Sequence, residues 1–416
     1  MSTSLLSKIK TILVAILLFN SIIICQTTKV KVGADVLFTK HLPQLIGKRV
    51  GVICNQTSVL SNRAHLVDSL LKSGVNVTVL FSPEHGIRGN LPAGQKYESA
   101  MDEKTGLPVY SLYGKNYKPT SEILKELDVI IFDLQDVGAR FYTYSITMAY
   151  SMQAAAENGE KFIILDRPNP INGIEVEGPI LDTVLNSGVG ILPIPIRHGL
   201  TIGEMAKMIV GENWLDNISD LNLEVIPMEG WKREMFFDET RLRWIPPSPN
   251  MKTIPTAIVY PGTCLIEGTN VSEGRGTKKP FEYIGAPWIN AKRFADKLNM
   301  LKLPGINFQP INFIPKPEAV VKSNLKFSKV LCKGVFLKIN NTKYFKPVIT
   351  GMKIIQTLFE MYPDSFTINS GFFDRLLGTE KFRETLEAGK IDSYFQNEYK
   401  SGLEDFLKKR QKYLIY

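Results

Sequence analysis

The chain is long enough to hold more than one domain, and its composition is that of a folded protein. It has 416 residues, of which 44% are hydrophobic, 22% charged and 10% aromatic, and its formal net charge is +9. These values exclude disordered, fibrous and coiled-coil classes, while four cysteines without a CxxC pair exclude a disulfide scaffold and a cysteine-based zinc site.

The N-terminus has the pattern of a secretory signal. Two lysines precede an apolar run over residues 12–24, which ends at Cys25. We therefore predict a signal peptide over residues 1–25 and export to the periplasm or the cell exterior, with no stable membrane span after processing. Lipid modification of Cys25 is the alternative, but the bulky Ile24 directly before it fits that signal poorly.

The first half of the chain alternates between apolar, β-branched runs and amphipathic segments, as in repeated βα units. We predict strands over residues 49–54, 77–81, 109–112, 129–133, 162–165 and 223–226. We predict helices over residues 63–72, 121–127, 145–158 and 201–210. This alternation indicates an α/β domain with a mostly parallel sheet and helices on both faces.

The second half of the chain has a different character. The proline-rich stretch 246–249 marks a boundary, after which glycine- and proline-rich segments are interrupted by short strands such as 334–339. Helices are predicted over residues 348–362 and again near the C-terminus. We therefore divide the chain into an α/β domain over residues 30–250 and a smaller mixed α+β domain over residues 251–416.

Polar residues follow four of the predicted strands. In an open parallel sheet, ligands bind at the carboxyl ends of the strands, because the loops there converge on a crevice. The alternative is that these residues only cap helices, or that a strand-end aspartate such as Asp133 pairs with a neighbouring arginine to stiffen the rim. The strand-end residues that we assign to a candidate site are Asn55 and Gln56; Glu84, His85 and Arg88; Gln135, Asp136, Arg140 and Tyr142; and Asp166, Arg167 and Asn169.

Motifs for cofactors and for several nucleophiles are absent from the sequence. There is no GxGxxG turn after the first strand, no GxxxxGK[ST], no GxSxG and no HExxH. We therefore predict no cofactor and no metal. The basic residues do not form long runs, so we predict no nucleic-acid partner. The glycine-rich stretch 274–278 is interpreted as a flexible binding loop.

Since these motifs are absent, carboxylates are the remaining candidates for catalytic groups. Glycoside cleavage needs a carboxylic acid that protonates the leaving oxygen, and a second group that supplies a nucleophile, orients water or steadies a participating acetamide. Glu84 is the best candidate for the acid, because it follows a buried strand and Pro83 and lies near glycines that let a ligand approach. A helix N-cap or a salt-bridge partner is its alternative role. The candidates for the second group, which sequence spacing does not rank, are Asp133, Asp136, Asp166, Glu267 and Glu273.

With these motifs the chain resembles the NamZ family of exo-acting β-N-acetylmuramidases, long catalogued as a domain of unknown function. The resemblance is carried by residues 55–57 (NQT), 82–89 (SPEHGIRG), 133–142 (DLQDVGARFY), 166–170 (DRPNP), 267–270 (EGTN) and 272–277 (SEGRGT). It implies a Rossmann-like catalytic domain, a smaller C-terminal domain that closes a cleft, and release of N-acetylmuramic acid from non-reducing ends of peptidoglycan fragments.

The resemblance also extends the candidate site. It matches the family's catalytic glutamate to Glu84, and we group Asp136 and Tyr142 with it as catalytic candidates. The substrate-binding candidates gain Glu267, Asn270, Glu273 and Arg275.

The implied substrate makes two chemical demands. N-acetylmuramic acid carries a lactyl carboxylate, which calls for an arginine. Arg88 and Arg275 are the leading candidates, followed by Arg140 and Arg167. Sugar faces call for aromatic platforms, although each aromatic can instead belong to the core. The candidate platforms are Phe141, Tyr142, Tyr144 and Trp288.

Two other functions compete with the hydrolase. One is a non-catalytic peptidoglycan- or glycan-binding protein on the same fold, which needs the cleft but not an ionisable Glu84. The other is a metal-dependent hydrolase or deacetylase, which predicts loss of activity with a chelator.

Overall fold

The computed structural model describes residues 29–84, 86–88, 99–114, 116–317 and 325–416. The predicted signal peptide and the candidate site residue His85 lie outside these residues.

A seven-stranded sheet forms the centre of the first domain, in the strand order β3-β4-β2-β1-β5-β6-β9. Its strands are β1 (Arg49–Cys54), β2 (Asn76–Ser82), β3 (Ser99–Met101), β4 (Pro108–Ser111), β5 (Val129–Asp133), β6 (Lys161–Leu165) and β9 (Leu223–Ile226). Neighbours pair in parallel, except that the edge strand β3 runs antiparallel to β4. The α/β class is therefore confirmed, and the antiparallel edge strand was not predicted.

Helices cover the sheet and build much of the second domain. They are α1 (Gly33–Val36), α2 (Leu66–Lys72), α3 (Ser121–Leu124), α4 (Tyr144–Asn158), α5 (Ile202–Gly211), α6 (Ile254–Thr263), α7 (Ala291–Met300), α8 (Pro347–Met361), α9 (Ser370–Leu377), α10 (Lys381–Glu387), α11 (Ile391–Ser393) and α12 (Leu403–Gln411). None of the helices in the described ranges is long and apolar enough to cross a membrane.

Local sequence signals set the ends of the better-predicted helices. Helix α4 ends at Gly159, which has a φ of 83° and adopts the left-handed conformation that favours glycine. Helix α5 begins after Thr201, whose hydroxyl accepts a hydrogen bond from the Glu204 amide while the Glu204 carboxylate accepts one from the Thr201 amide. This capping box satisfies two amides that have no partner within the helix.

Two hydrophobic clusters fill the two faces of the sheet. Successive strand residues point to opposite faces, so that Val52 and Ile131 join the cluster beneath α1 and α2, whereas Ile53 and Phe132 join the cluster beneath α4 and α5. The second cluster continues without a break into the C-terminal domain. The two domains therefore share one core.

The C-terminal domain contains a three-stranded antiparallel sheet in the order β10-β12-β11. Its strands are β10 (Tyr283–Ala286), β11 (Ile306–Phe313) and β12 (Cys332–Ile339), and a small antiparallel pair of β7 (Glu177–Ile180) and β8 (Pro195–Arg197) belongs to the first domain. Antiparallel strands beside helices confirm a smaller second domain of mixed α+β character.

Candidate active site

A cavity of about 390 Å³ lies where the two domains meet. The first domain contributes Glu84, Tyr113, Tyr117, Phe141 and Thr143, and the second contributes Tyr260, Cys264, Glu267, Arg275, Phe372, Arg375 and Leu376. A narrower cavity of about 70 Å³ adjoins it, shares Glu84 and Arg275, and is also lined by Tyr142, Tyr144, Ser248 and Phe281. A cavity of about 420 Å³ elsewhere, near Tyr394 and Phe406, contains no residue of the sequence motifs.

Two hydroxyl groups hold the carboxylate of Glu84 in the wall of this cavity. Thr143, which precedes α4, donates a hydrogen bond from Oγ1 to Glu84 Oε2 at 3.1 Å. The hydroxyl of Tyr113, which follows β4, also hydrogen-bonds to Glu84, and burial together with the Glu84 charge raises the pKa of Tyr113 above its usual range. Glu84 therefore sits at a fixed position where it can exchange a proton with a bound ligand.

A second carboxylate, Glu267, lines the same cavity from the other domain. Arg275 donates from Nη2 to Glu267 Oε1 at 2.5 Å, and its Nε lies 3.5 Å from Glu273 Oε1. The Arg275 guanidinium also lies over the ring of Phe281, 5.4 Å from its centroid. Burial raises the pKa of Glu267, and the charge of Arg275 acts in the opposite direction. Glu84 and Glu267 thus face one ligand-sized space.

Of the five carboxylates proposed for the second catalytic role, Glu267 is the one that lines a Glu84 cavity among the described residues. Asp136 accepts a hydrogen bond from the Gly138 amide at 2.7 Å and lies 3.5 Å from His198 Nε2. Asp166 accepts hydrogen bonds from the Thr201 hydroxyl and the Gly203 amide, both at 2.8 Å. These two aspartates bind the protein's own loops.

The glycine-rich stretch that was interpreted as a flexible binding loop is firmly packed. The Lys316 amide donates to the Gly276 carbonyl at 2.8 Å, and the Thr277 hydroxyl donates to the Gly274 carbonyl at 2.6 Å. The Arg275 side chain is only 23% exposed. Arg275 is therefore part of a preformed wall rather than a free arm.

Three of the four arginines predicted to grip a substrate carboxylate are engaged away from the cavity. Arg88 pairs with Asp102 at 2.7 Å, and Arg167 pairs with Asp133 at 2.8 Å, which is the rim-stiffening alternative that the sequence left open. Arg140 is 1% exposed and donates hydrogen bonds to backbone carbonyls. None of these three guanidiniums lines either Glu84 cavity, and a role for them in substrate binding stays a prediction.

The amide side chains of the motifs also bind the protein itself. They tie loops together through hydrogen bonds from Asn55 to the Tyr144 hydroxyl (2.8 Å), Gln56 to the Pro246 carbonyl (2.9 Å), Gln135 to the Pro168 carbonyl (2.8 Å), Asn169 to the Leu200 carbonyl (2.9 Å) and Asn270 to the Ser365 carbonyl (2.7 Å). These motif residues hold neighbouring loops in place, and none of them lines either Glu84 cavity.

Aromatic rings form the inner end of the site. Tyr142 and Tyr144 meet edge to face with their centroids 4.8 Å apart, and Phe141 meets Tyr260 in the same way at 5.3 Å. Tyr142 lines the narrow cavity, where burial raises the pKa of its hydroxyl. Trp288 instead packs against Tyr362 and lines neither cavity.

Several lining residues were not predicted. Tyr113, Thr143, Tyr260 and Arg375 lie outside the strand-end motifs, and only the fold brings them to Glu84. Thr143 had one signal in the sequence, since it directly follows the motif that ends at Tyr142. Within the described ranges, no three His, Cys, Asp or Glu side chains gather as a metal site would require.

Comparisons with known proteins agree with the motifs. Residues 50–255 match the family model described as the N-terminal part of exo-β-N-acetylmuramidase NamZ, and residues 258–416 match the model for its C-terminal part. The chain is 47% identical over 390 residues to the peptidoglycan β-N-acetylmuramidase NamZ of Bacillus subtilis (strain 168), covering 93% of this chain and 92% of that one.

Two crystal structures of DUF1343 family proteins from Bacteroides fragilis NCTC 9343 have the same fold. One superimposes with a TM-score of 0.85 at 36% identity, covering 93% of this chain and 99% of the other. The second gives a TM-score of 0.74 at 37% identity, covering 94% and 99%. The resemblance inferred from the motifs is confirmed, and the chain belongs to the NamZ family of exo-β-N-acetylmuramidases.

Proposed function

We propose that the protein is an exported exo-β-N-acetylmuramidase, which releases N-acetylmuramic acid from the non-reducing ends of peptidoglycan fragments with Glu84 as the general acid. The observation that supports this most strongly is the cavity that Glu84 lines from the first domain and Glu267 lines from the second. Its volume of about 390 Å³ suits a single substituted sugar ring rather than a long glycan chain.

The proposed chemistry follows from the two carboxylates. Glu84 donates its proton to the glycosidic oxygen as the bond to the muramyl C1 breaks, so that the leaving sugar departs with a hydroxyl group. Glu267 acts on the muramyl side, where a negative charge stabilises the positive charge that develops on the ring. A water molecule completes the hydrolysis, because its oxygen forms the new bond to C1 and the proton that it releases replaces the one that Glu84 gave to the leaving sugar. The hydroxyls of Tyr113 and Thr143 keep the Glu84 carboxyl pointed at the ligand.

Export is supported by the signal-like N-terminus and by the location of the substrate. Peptidoglycan lies outside the cytoplasmic membrane, so an enzyme that acts on it there must cross that membrane. N-terminal sequencing of the mature protein tests this part of the proposal. A start at Gln26 supports simple cleavage, whereas a lipid-modified Cys25 supports anchoring.

A product assay tests the function itself. The protein is incubated with the disaccharide N-acetylmuramyl-β-1,4-N-acetylglucosamine, and free N-acetylmuramic acid and its first-formed anomer are identified by magnetic resonance. Binding without release would favour the glycan-binding alternative. Loss of release with a chelator, restored by a divalent metal, would favour the metal-dependent one.

A further inference from the structure

We propose that Arg375 binds the lactyl carboxylate of the muramyl sugar and thereby sets the preference for muramyl over glucosaminyl substrates. This inference rests on the proposed function, because it names the group that recognises the substrate of the same site.

The position of Arg375 is the first observation. It lies on α9 (Ser370–Leu377), and Phe372, Arg375 and Leu376 all line the Glu84 cavity. Residues at positions i, i+3 and i+4 share one face of a helix, so this face of α9 forms one wall of the cavity. Arg375 is the exposed member of the three and therefore lies at the mouth.

The charge state of the cavity is the second observation. Arg275 pairs with Glu267 and Glu273, and Lys326 pairs with Glu273, so these two cations and two carboxylates balance one another. A muramyl substrate adds a carboxylate that this balanced group does not neutralise. An anionic sugar therefore needs a further cation, because an unpaired charge in a partly buried site is unfavourable.

Arg375 supplies an uncommitted cation. Its guanidinium has no ion pair or hydrogen-bond partner within the part of the chain that the structure describes. The neighbouring carboxylate on α9, that of Asp374, forms an ion pair with Arg383 at 2.8 Å instead of with Arg375. A planar guanidinium matches a carboxylate through two parallel hydrogen bonds, and this makes Arg375 the natural partner of the lactyl group.

The helix that carries Arg375 is fixed against the first domain. The Asn369 side chain caps its start by accepting from the Phe372 amide, and Arg140 donates from Nη2 to the Leu376 carbonyl at 2.9 Å. Arg140, which was predicted to touch substrate, thus positions the helix that presents Arg375. An arginine on a fixed helix loses less backbone entropy on binding than one on a mobile loop.

The test compares Arg375→Gln with wild type on two substrates that differ only in the lactyl group. One is a chromogenic β-N-acetylmuraminide with a free carboxylate, and the other is the same compound with the carboxylate converted to its primary amide. Arg375→Gln should lower kcat/KM about 10- to 100-fold more for the acid than for the amide, the loss expected for a hydrogen bond between charged groups. The acid-to-amide ratio of kcat/KM in Arg375→Lys should lie between those of the wild type and Arg375→Gln, because lysine keeps the charge but cannot form two parallel hydrogen bonds.

The matched control is Arg293→Gln, at an exposed arginine on α7 (Ala291–Met300) that lines neither Glu84 cavity. It should leave the acid-to-amide ratio at the wild-type value. An unchanged ratio in Arg375→Gln, with wild type active on both compounds, would overturn the role of Arg375 and leave the proposed function standing. A wild type that hydrolyses neither compound nor the natural disaccharide would overturn both.

Discussion

The carboxylate of Glu84 depends on two neighbouring hydroxyl groups for its orientation. Tyr113 reaches it from the end of β4, and Thr143 reaches it from the start of α4. A general acid must be aimed at the oxygen that it protonates, so its supports contribute to rate without touching the substrate's reacting atoms.

We therefore expect Tyr113→Phe to lower kcat/KM about tenfold, which corresponds to the loss of one hydrogen bond worth about 1.4 kcal/mol. The phenyl ring still fills the space, so the thermal unfolding midpoint should change little. Steady-state kinetics on the disaccharide check this expectation. Wild-type kinetics in Tyr113→Phe would mean that the hydroxyl does not support the acid.

The second carboxylate can be assigned by comparing two variants. Glu267→Gln should lower kcat by about 10²-fold or more, since it removes a charge that faces the developing positive charge in the cavity. Asp136→Asn should have a much smaller effect per folded molecule, because Asp136 binds the Gly138 amide behind the site. Rates are normalised to the folded fraction by circular dichroism. The reverse order of effects would move the catalytic role to Asp136.

The sequence predicts some residues of the site but not the partners of others. Glu84 could be selected from its place after a buried strand, and the structure brings it to a cavity. The sequence does not distinguish the arginines of these motifs that bind substrate from those that pair within the fold, because their partners are distant in sequence. Arg88 meets Asp102, and Arg140 meets the backbone near residue 376.

At the scale of elements, one glycine, Gly378, lies where the end of α9 packs against Arg140 of the first domain. Gly378 has a φ of 84°, and a Cβ added to it would lie 2.5 Å from the Arg140 guanidinium. Any side chain there must both adopt an unfavourable backbone conformation and displace a buried cation.

Gly378→Ala should therefore destabilise the protein by about 2 to 4 kcal/mol in urea unfolding, of which about 1 kcal/mol is backbone strain and the rest displaced packing. It should also lower activity, because it moves the helix that lines the cavity. The control is Gly389→Ala, which has a φ of 67° but open space around the added Cβ. It should cost only about 1 kcal/mol. Equal costs for the two variants would show that the Arg140 contact is not tight.

Elements with strong periodicity and clear end signals were predictable from sequence. The helix predicted over residues 145–158 is α4, and the strand predicted over residues 129–133 is β5. Helix α6, which follows the proline-rich boundary and contains Pro261, was not predicted, since tertiary packing overrides the low helix propensity of proline. The edge strand β3 is only three residues long and offers too little pattern to detect.

At the scale of the whole molecule, Tyr416 of the second domain packs back against the first domain. The Tyr416 hydroxyl donates to Asp166 Oδ2 at 2.8 Å, where the Thr201 hydroxyl also binds. Burial and the nearby Glu204 charge raise the pKa of Asp166 from its ordinary value of 3.8 to about 7. We therefore expect the contact between Tyr416 and the sheet to be sensitive to pH.

The sign of this effect follows from proton binding. Between pH about 4 and about 7 Asp166 is ionised in the unfolded chain but protonated in the folded one, so folding takes up a proton. The contribution of Asp166 to the free energy of unfolding is fully present below the unfolded-state pKa of about 4. It is lost as the pH rises toward 7, by at most about 1.4 kcal/mol per pH unit. The loss of unfolding free energy from pH 5 to pH 7 should be smaller in Asp166→Asn. Identical losses in both proteins would contradict the raised pKa.

The central claim is that Glu84 protonates the leaving sugar, and the most direct test compares two leaving groups in Glu84→Gln. The N-acetylglucosamine leaving group of the natural disaccharide is a poor one and needs the proton, whereas a nitrophenolate departs without help. Glu84→Gln should therefore lower kcat at least about 100-fold on the disaccharide, lower it much less on the nitrophenyl β-N-acetylmuraminide, and keep disaccharide binding measurable by calorimetry. Near-normal turnover of the disaccharide, or equal losses on both substrates, would contradict the assignment of Glu84 as the general acid.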